Sequence, residues 1–266
     1  MSWFSNLFKT KAKKAKAAQP PKVITSARGP LYVNYDLYPD ASQFPYYGLN
    51  IVDWKAQFTL PVGAKDVSVY YALGEIGPKE PYFNDSSIPT VGINPDWGSK
   101  YVDIRSPIWA AFLIEKLRKS YATGKFKGCF FDTGDTYWAL DKLIPGHFKE
   151  FVIATAEIIN KVKAAFPDKG IIPNRAFNAW PHCEKSCSAF LFEGLYQDNG
   201  VKRPSYTQEL LNLAAPIKAS GKPIYVIDYV QETQIAIARE TAARIRGNGF
   251  LPLVTTGDCD GKVLAS

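Results

Sequence analysis

FKGCFFDTGDTYW, residues 126–138, is the stretch whose reading decides the fold. Gly128 opens a short apolar run, Cys129-Phe130-Phe131, that stops at Asp132; Asp135 follows, with Tyr137 and Trp138 behind it. The run is too short for a helix and reads as a buried strand. A strand that is dry on both faces and carries a carboxylate at its C-terminal end is what parallel α/β sheets and barrels use to build a site.

Similar runs flank it on both sides. Leu31–Tyr35 ends at Asp36, Tyr47–Val52 at Asp53, and Val67–Leu73 runs into Gly74-Glu75. After the central stretch, Ile171–Pro173 leads to Asn174 and Arg175, Ala189–Phe192 to Glu193, Ile224–Ile227 to Asp228, and Leu251–Thr255 precedes Asp258 and Asp260. Between the later strands lie helical stripes. Ser106-Pro107 is an N-cap with proline at the first helical position, followed by Trp109, Phe112, Leu113 and Leu117. Phe151, Ile158, Ile159 and Val162 form the next stripe, Ser205–Gln208 reads as a capping box opening another, and Ile235, Ala238, Ala242 and Ile245 complete the series. Eight strands alternating with helices over about 235 residues point to an α/β fold of the (β/α)8 TIM-type barrel class. The connection after the first strand is too short for a helix, and only a short tail follows the eighth, so the last helix is expected to be missing or truncated. Asp36-Leu37-Tyr38-Pro39 is unlike the glycine-rich turn of a dinucleotide-binding sheet.

Composition locates the charge. The net charge of +7 arises largely from residues 1–22, which hold six lysines and no acid; the remainder carries 26 basic against 25 acidic residues. A nearly neutral body gives no support to nucleic-acid binding. Residues 1–22 read as a basic, solvated tail, and 23–266 as a single catalytic domain. The apolar Trp3, Phe4, Leu7 and Phe8 ahead of the lysines also fit docking to a membrane surface or a delivery particle. No run reaches the roughly 20 apolar residues of a membrane span, and the N-terminal pattern is not that of a secretory signal, so the expected compartment is the cytoplasm, with non-classical release as a route out. Cys183, Cys187 and His182 lack a second ligand pair at metal spacing, and no cofactor is expected.

In a barrel, the strand-end residues Asp36, Asp53, Glu75, Asp132, Asp135, Glu193 and Asp228 would gather on one face. The chain has only two histidines, which disfavours histidine-rich metal hydrolases and Ser-His-Asp chemistry. Carboxylates working as acid, base and nucleophile without a metal are the signature of glycoside hydrolysis, and loop aromatics such as Trp97, Trp138 and Tyr196 offer faces for sugar rings.

The runs YYALGEIGPKEPYF (70–83), NPDWGSKYVDIRSPIW (94–109) and GCFFDTGDTY (128–137) resemble glycoside hydrolase family 114, the endo-α-1,4-polygalactosaminidases, and the similar hydrolase domains of Pel exopolysaccharide systems. The resemblance implies a barrel that cleaves α-linked, galactosamine-containing polysaccharide. It puts the nucleophile at Asp132 and the acid/base at Glu193, with Glu75 a further essential acid that competes for the acid/base role. Asp135 and Tyr137 would position the sugar, and Asp36, Asp53, Tyr71, Trp97, Arg175, Tyr196 and Asp228 complete the expected substrate-binding set. The alternative is a barrel that binds glycan without cleaving it, or a structural module attached through its tail.

Overall fold

A computed structural model describes residues 29–198, 201–202 and 204–266; the basic segment 1–22 lies outside them. In chain order, β1 (Leu31–Asn34), β2 (Leu49–Asp53) and β3 (Asp66–Ala72) are followed by three short strands, β4 (Glu75–Ile76), β5 (Thr90–Ile93) and β6 (Lys100–Val102). Next come α1 (Pro107–Ala122), β7 (Gly128–Asp132), α2 (Tyr137–Leu143), α3 (Phe148–Ala165), β8 (Gly170–Pro173), α4 (Trp180–Cys183) and β9 (Phe190–Glu193). The chain closes with β10 (Gln197–Asp198), β11 (Val201–Lys202), α5 (Pro204–Ala219), β12 (Ile224–Tyr229), α6 (Ile235–Gly247) and β13 (Leu251–Thr255).

The parallel strands fall in the order β1-β2-β3-β7-β8 and β9-β12-β13, and an Asn174–Leu191 bridge joins the two sets. This is the strand order of a (β/α)8 barrel, reached by the eight runs read from the sequence. Among the described residues no ladder joins β13 to β1. The seam is filled by the chain after β13, which turns back so that Val254 pairs with Ala265 and Asn34 with Asp260, while Tyr35 N–H donates to the Cys259 carbonyl at 3.0 Å. That return stands in place of the last helix. The first connection contains only the 3-10 turn Ala41–Tyr46, as its length required.

Strand alternation sorts the core into two layers. Leu31, Val33, Leu49, Ile51, Phe130, Ile172, Leu191, Ile227, Tyr229 and Leu253 pack together inside the barrel, with Tyr35 and Tyr70 against them. Their neighbours Val67, Val69, Tyr71, Cys129, Phe131, Phe190, Phe192 and Val226 face outward into the helical layer with Trp109, Leu113 and Ile159. Phe130 and Phe131 are both fully buried, one in each layer, and each contributes about 1.5–3 kcal/mol on the area scale.

The first helix starts as its sequence requires: Ser106 Oγ accepts from Ile108 N–H at 3.2 Å, and Pro107 occupies the first position. The capping box expected at Ser205 is displaced. Helix α5 already begins at Pro204, whose missing N–H suits a first turn, so Ser205 lies inside the helix. The antiparallel β4-β6-β5 sheet, inserted above β3, was not read from the sequence. None of the described helices is long and apolar enough to cross a membrane.

Candidate active site

Five inward-facing residues at adjacent strand ends form one hydrogen-bonded arc across the barrel mouth. Tyr70 on β3 donates its hydroxyl to Asp132 Oδ2 at 2.8 Å. Asn174, just past β8, donates from Nδ2 to Asp132 Oδ1 at 2.8 Å and from the same nitrogen to Glu193 Oε1 at 2.6 Å. Tyr229 on β12 donates to Glu193 Oε2 at 2.6 Å. Because one nitrogen serves both acids, Asp132 Oδ1 and Glu193 Oε1 lie no farther apart than the sum of those two bonds, about 5.4 Å.

Parity explains the set. Asp132 shares the inward face with Phe130, Glu193 with Leu191, Asn174 with Ile172, and Tyr229 with Ile227. Burial and the nearby Asp132 charge push the Glu193 carboxyl up to about 7. Asp132 is further held by Thr133 N–H at 2.7 Å. Thr133 and Arg175, immediately after two of these strands, adopt left-handed φ values of 55° and 57°. Side chains seldom take that conformation outside glycine, and such strain concentrates at functional sites.

Glu75 lies outside the arc. Held on the inserted sheet, it accepts from Asn94 Nδ2 at 3.2 and 3.3 Å and from Ser99 Oγ. Burial is the main cause that raises its carboxyl to about 7, and the Asp132 and Asp135 charges push the same way. Asp135 is ion-paired with Arg175, whose Nε donates to Oδ2 at 2.9 Å. Arg175 also donates to the Glu193 carbonyl at 3.2 Å and to the Tyr206 hydroxyl, tying the loops after β7, β8 and β9 together.

Four expected substrate contacts are corrected. Tyr71 faces outward, its hydroxyl 2.9 Å from Ser120 Oγ on α1; the inward partner of Asp132 is its neighbour Tyr70. Tyr137 is fully buried and braces the loop after β8, accepting from Asn178 N–H at 3.2 Å. Tyr196 packs against α6, with its hydroxyl accepting from Asn248 Nδ2 and the Arg244 guanidinium 3.9 Å from its ring centre. Asp228, fully buried and on the outward face with Val226, accepts from the backbone N–H groups of Leu195, Tyr196 and Gln197 at 2.7, 2.9 and 3.0 Å. It fixes the turn behind Glu193 and offers nothing to a ligand.

The remaining candidates lie toward the rim. Asp36 is exposed. Asp53 belongs to a separate charged group, accepting from Lys55 N–H at 2.7 Å, and burial raises its carboxyl from its ordinary value. Lys55 bridges to Glu80 at 2.7 Å. Trp97 and Trp138 are 46% and 53% exposed, and the Trp138 ring packs on Phe148 with centroids 4.3 Å apart. Among the described residues no three His, Cys, Asp or Glu side chains stand together as a metal site; Cys183 and Cys187 are buried, their sulfurs 4.0 Å apart.

Tyr70 and Asn174 were missing from the sequence-based site. The signal that finds them is the period of two, counted back from each strand-end acid to the apolar inward residue before it.

Fold and site define an α/β barrel with a carboxylate pair at the C-terminal ends of its strands. The chain belongs to glycoside-hydrolase family GH114, whose model matches residues 10–266. It is similar in structure to the glycoside hydrolase domain of PelA from Pseudomonas aeruginosa, at 23% identity and a TM-score of 0.75, covering 86% of this chain and 95% of that one. It also resembles Aspergillus fumigatus Ega3, solved in complex with galactosamine, at 16% identity and a TM-score of 0.67, covering 95% and 99%. An uncharacterized Deinococcus radiodurans protein is 28% identical over 177 residues, 64% of this chain; the match spans just over half, 56%, of that protein.

Proposed function

We propose that the chain is an endo-acting glycoside hydrolase that cleaves α-linked, galactosamine-containing polysaccharide, with Asp132 as nucleophile and Glu193 as general acid/base. The observation that carries the reading is the carboxylate pair sharing the Asn174 nitrogen. Their facing oxygens, at most about 5.4 Å apart, favour the close carboxyl spacing of retaining glycosidases, roughly 5–5.5 Å, over the roughly 6.5–9.5 Å that leaves room for an inverting water.

Glu193, raised to about 7, carries its proton near neutrality and gives it to the departing glycosidic oxygen as an Asp132 oxygen bonds to the anomeric carbon. In the second half, water attacks that carbon, its proton passes to Glu193, and the bond to Asp132 breaks. Tyr70 and Tyr229 hold the far oxygens of the two acids. Glu75 adds a further acid at the mouth, which suits a polymer bearing ammonium groups, and the half-exposed Trp138 lies on the loop that follows Asp132. The galactosamine in the Ega3 structure supports this substrate class.

A second reading gives the proton-donor role to Glu75, whose carboxyl is also raised to about 7. The test is reducing-end release from partly deacetylated α-1,4-galactosaminan by wild type, D132N, E193Q and E75Q, with the product anomer followed by NMR. Retention of the α-anomer, loss in D132N and E193Q, and azide rescue of E193Q on an aryl glycoside with a good leaving group are expected. Azide rescue confined to E75Q would transfer the role to Glu75. Binding of the polymer without release by wild type would leave a non-catalytic glycan-binding barrel.

A further inference from the structure

We propose that Asn174 is a positioning residue that sets the separation of Asp132 and Glu193 and steadies the charge on Glu193; the inference rests on the carboxylate-pair reading above. A side-chain amide nitrogen has two hydrogens, and here one goes to each acid, at 2.8 and 2.6 Å. The nitrogen is thereby saturated. Its partner atom is not: Asn174 Oδ1 is buried and has no hydrogen-bond partner among the described residues, in a residue only 2% exposed.

A buried acceptor left unpaired is unfavourable, so the amide orientation is not chosen to satisfy Asn174 itself. Turning it over would aim Oδ1 at two carboxylate oxygens and cost both donors. The two acids therefore dictate the orientation.

The backbone is fixed to match. Asn174 N–H donates to the Phe131 carbonyl at 2.7 Å, and its pairing with Leu191 joins the two sheets. Gly134, in the loop that follows Asp132, lies so close to the Asn174 carbonyl that a Cβ there would collide with it. Asn174 is thus anchored to the strand on either side of it, one carrying Asp132 and the other Glu193. The Asn174 donor also favours the ionised form of Glu193, which offsets the repulsion from Asp132 whenever Glu193 gives up its proton.

The titratable and charged groups facing Glu193 are Asp132, Tyr229, Cys259, Tyr35, Tyr70 and Arg175. The test compares wild type, N174A and the isosteric N174D for kcat and KM on the galactosaminan. In parallel, the Glu193 carboxyl is titrated by 13C NMR of glutamate-labelled protein, its signal assigned with E193Q. For N174A we expect kcat to fall about 10²-fold, the scale of a roughly 1 Å misplacement, with KM changed less than about threefold. Glu193 should titrate at higher pH than in wild type, and higher again in N174D, where an acid replaces the donor.

A kcat within about threefold of wild type, together with an unmoved Glu193 titration, would overturn the proposal. If wild type has no glycosidase activity, the titration still reads whether Asn174 holds the pair. If D132N and E193Q are inactive but N174A is normal by both measures, only this inference fails. N174D fills the same volume as wild type, so it keeps the titration readable should N174A fold poorly.

Discussion

Replacing Asp228 should unfold the turn behind Glu193, and the size of the effect follows from three hydrogen bonds. Its carboxylate accepts from Leu195 N–H through Oδ1 at 2.7 Å, and from Tyr196 and Gln197 N–H through Oδ2 at 2.9 and 3.0 Å. Hydrogen bonds to a charged group contribute about 1.5–3 kcal/mol each, and buried donors stripped of their acceptor add a desolvation cost of about 1–3 kcal/mol apiece. The three share one side chain, so they do not add independently; truncation of a buried charged partner measures about 3–5 kcal/mol in comparable settings. Asp228→Ala should therefore lose about 4 kcal/mol, against a total of about 5–15 kcal/mol for a typical domain. Asp228→Asn should lose about half of that, because an amide keeps one acceptor oxygen and turns a donor toward at least one of the three N–H groups.

Urea denaturation followed by far-UV circular dichroism measures both variants. The expected midpoints fall in the order wild type, Asp228→Asn, Asp228→Ala, with m-values unchanged. A loss below about 1 kcal/mol for Asp228→Ala would refute the clamp, since the central estimate rests on the truncation of one buried charged partner. Normal stability with a raised KM would restore the substrate contact expected from the sequence.

Tyr70→Phe should lower kcat by releasing Asp132 Oδ2, whereas Tyr71→Phe, which loses only an outward bond to Ser120, should leave kcat unchanged and cost about 1 kcal/mol of stability; steady-state kinetics and melts separate the two. The raised Glu193 carboxyl sets a sign for pH: its proton is held more tightly folded than unfolded, so its contribution is complete below about 4.5, the ordinary value, and is lost as pH rises through about 7. Glu193→Gln should therefore gain stability relative to wild type as pH goes from 5 to 8, read from paired urea melts, and an advantage that does not change with pH would contradict it. Wild-type kcat/KM should decline on the alkaline side of about 7 for the same proton. Gly134→Ala should collide with the Asn174 carbonyl and cost about 1–3 kcal/mol through overpacking, with a loss of activity larger than the loss of folded protein.

The sequence alone determined the architecture. Eight short apolar runs, each too brief for a helix, alternate with capped helical stripes, and that rhythm has few solutions other than a parallel α/β barrel. It also marked Asp132 and Glu193 among several strand-end acids, and the family resemblance singled those two out. The seam was legible only as a missing helix; that residues 259–265 fill it depends on long-range pairing to Asn34, Tyr35 and Val254.

What tertiary structure decided was the face and the partner of each side chain. Neighbours such as Tyr70 and Tyr71 carry the same ring and differ by one step along a strand, yet the pleat sends one to an acid and the other to a helix. Asp228 looks like every other strand-end acid until the turn at 195–197 closes over it. The pairing of Asp132 with Glu193 through Asn174 joins strands some 60 residues apart in sequence, and no local pattern encodes a contact made only when β7, β8 and β9 lie side by side.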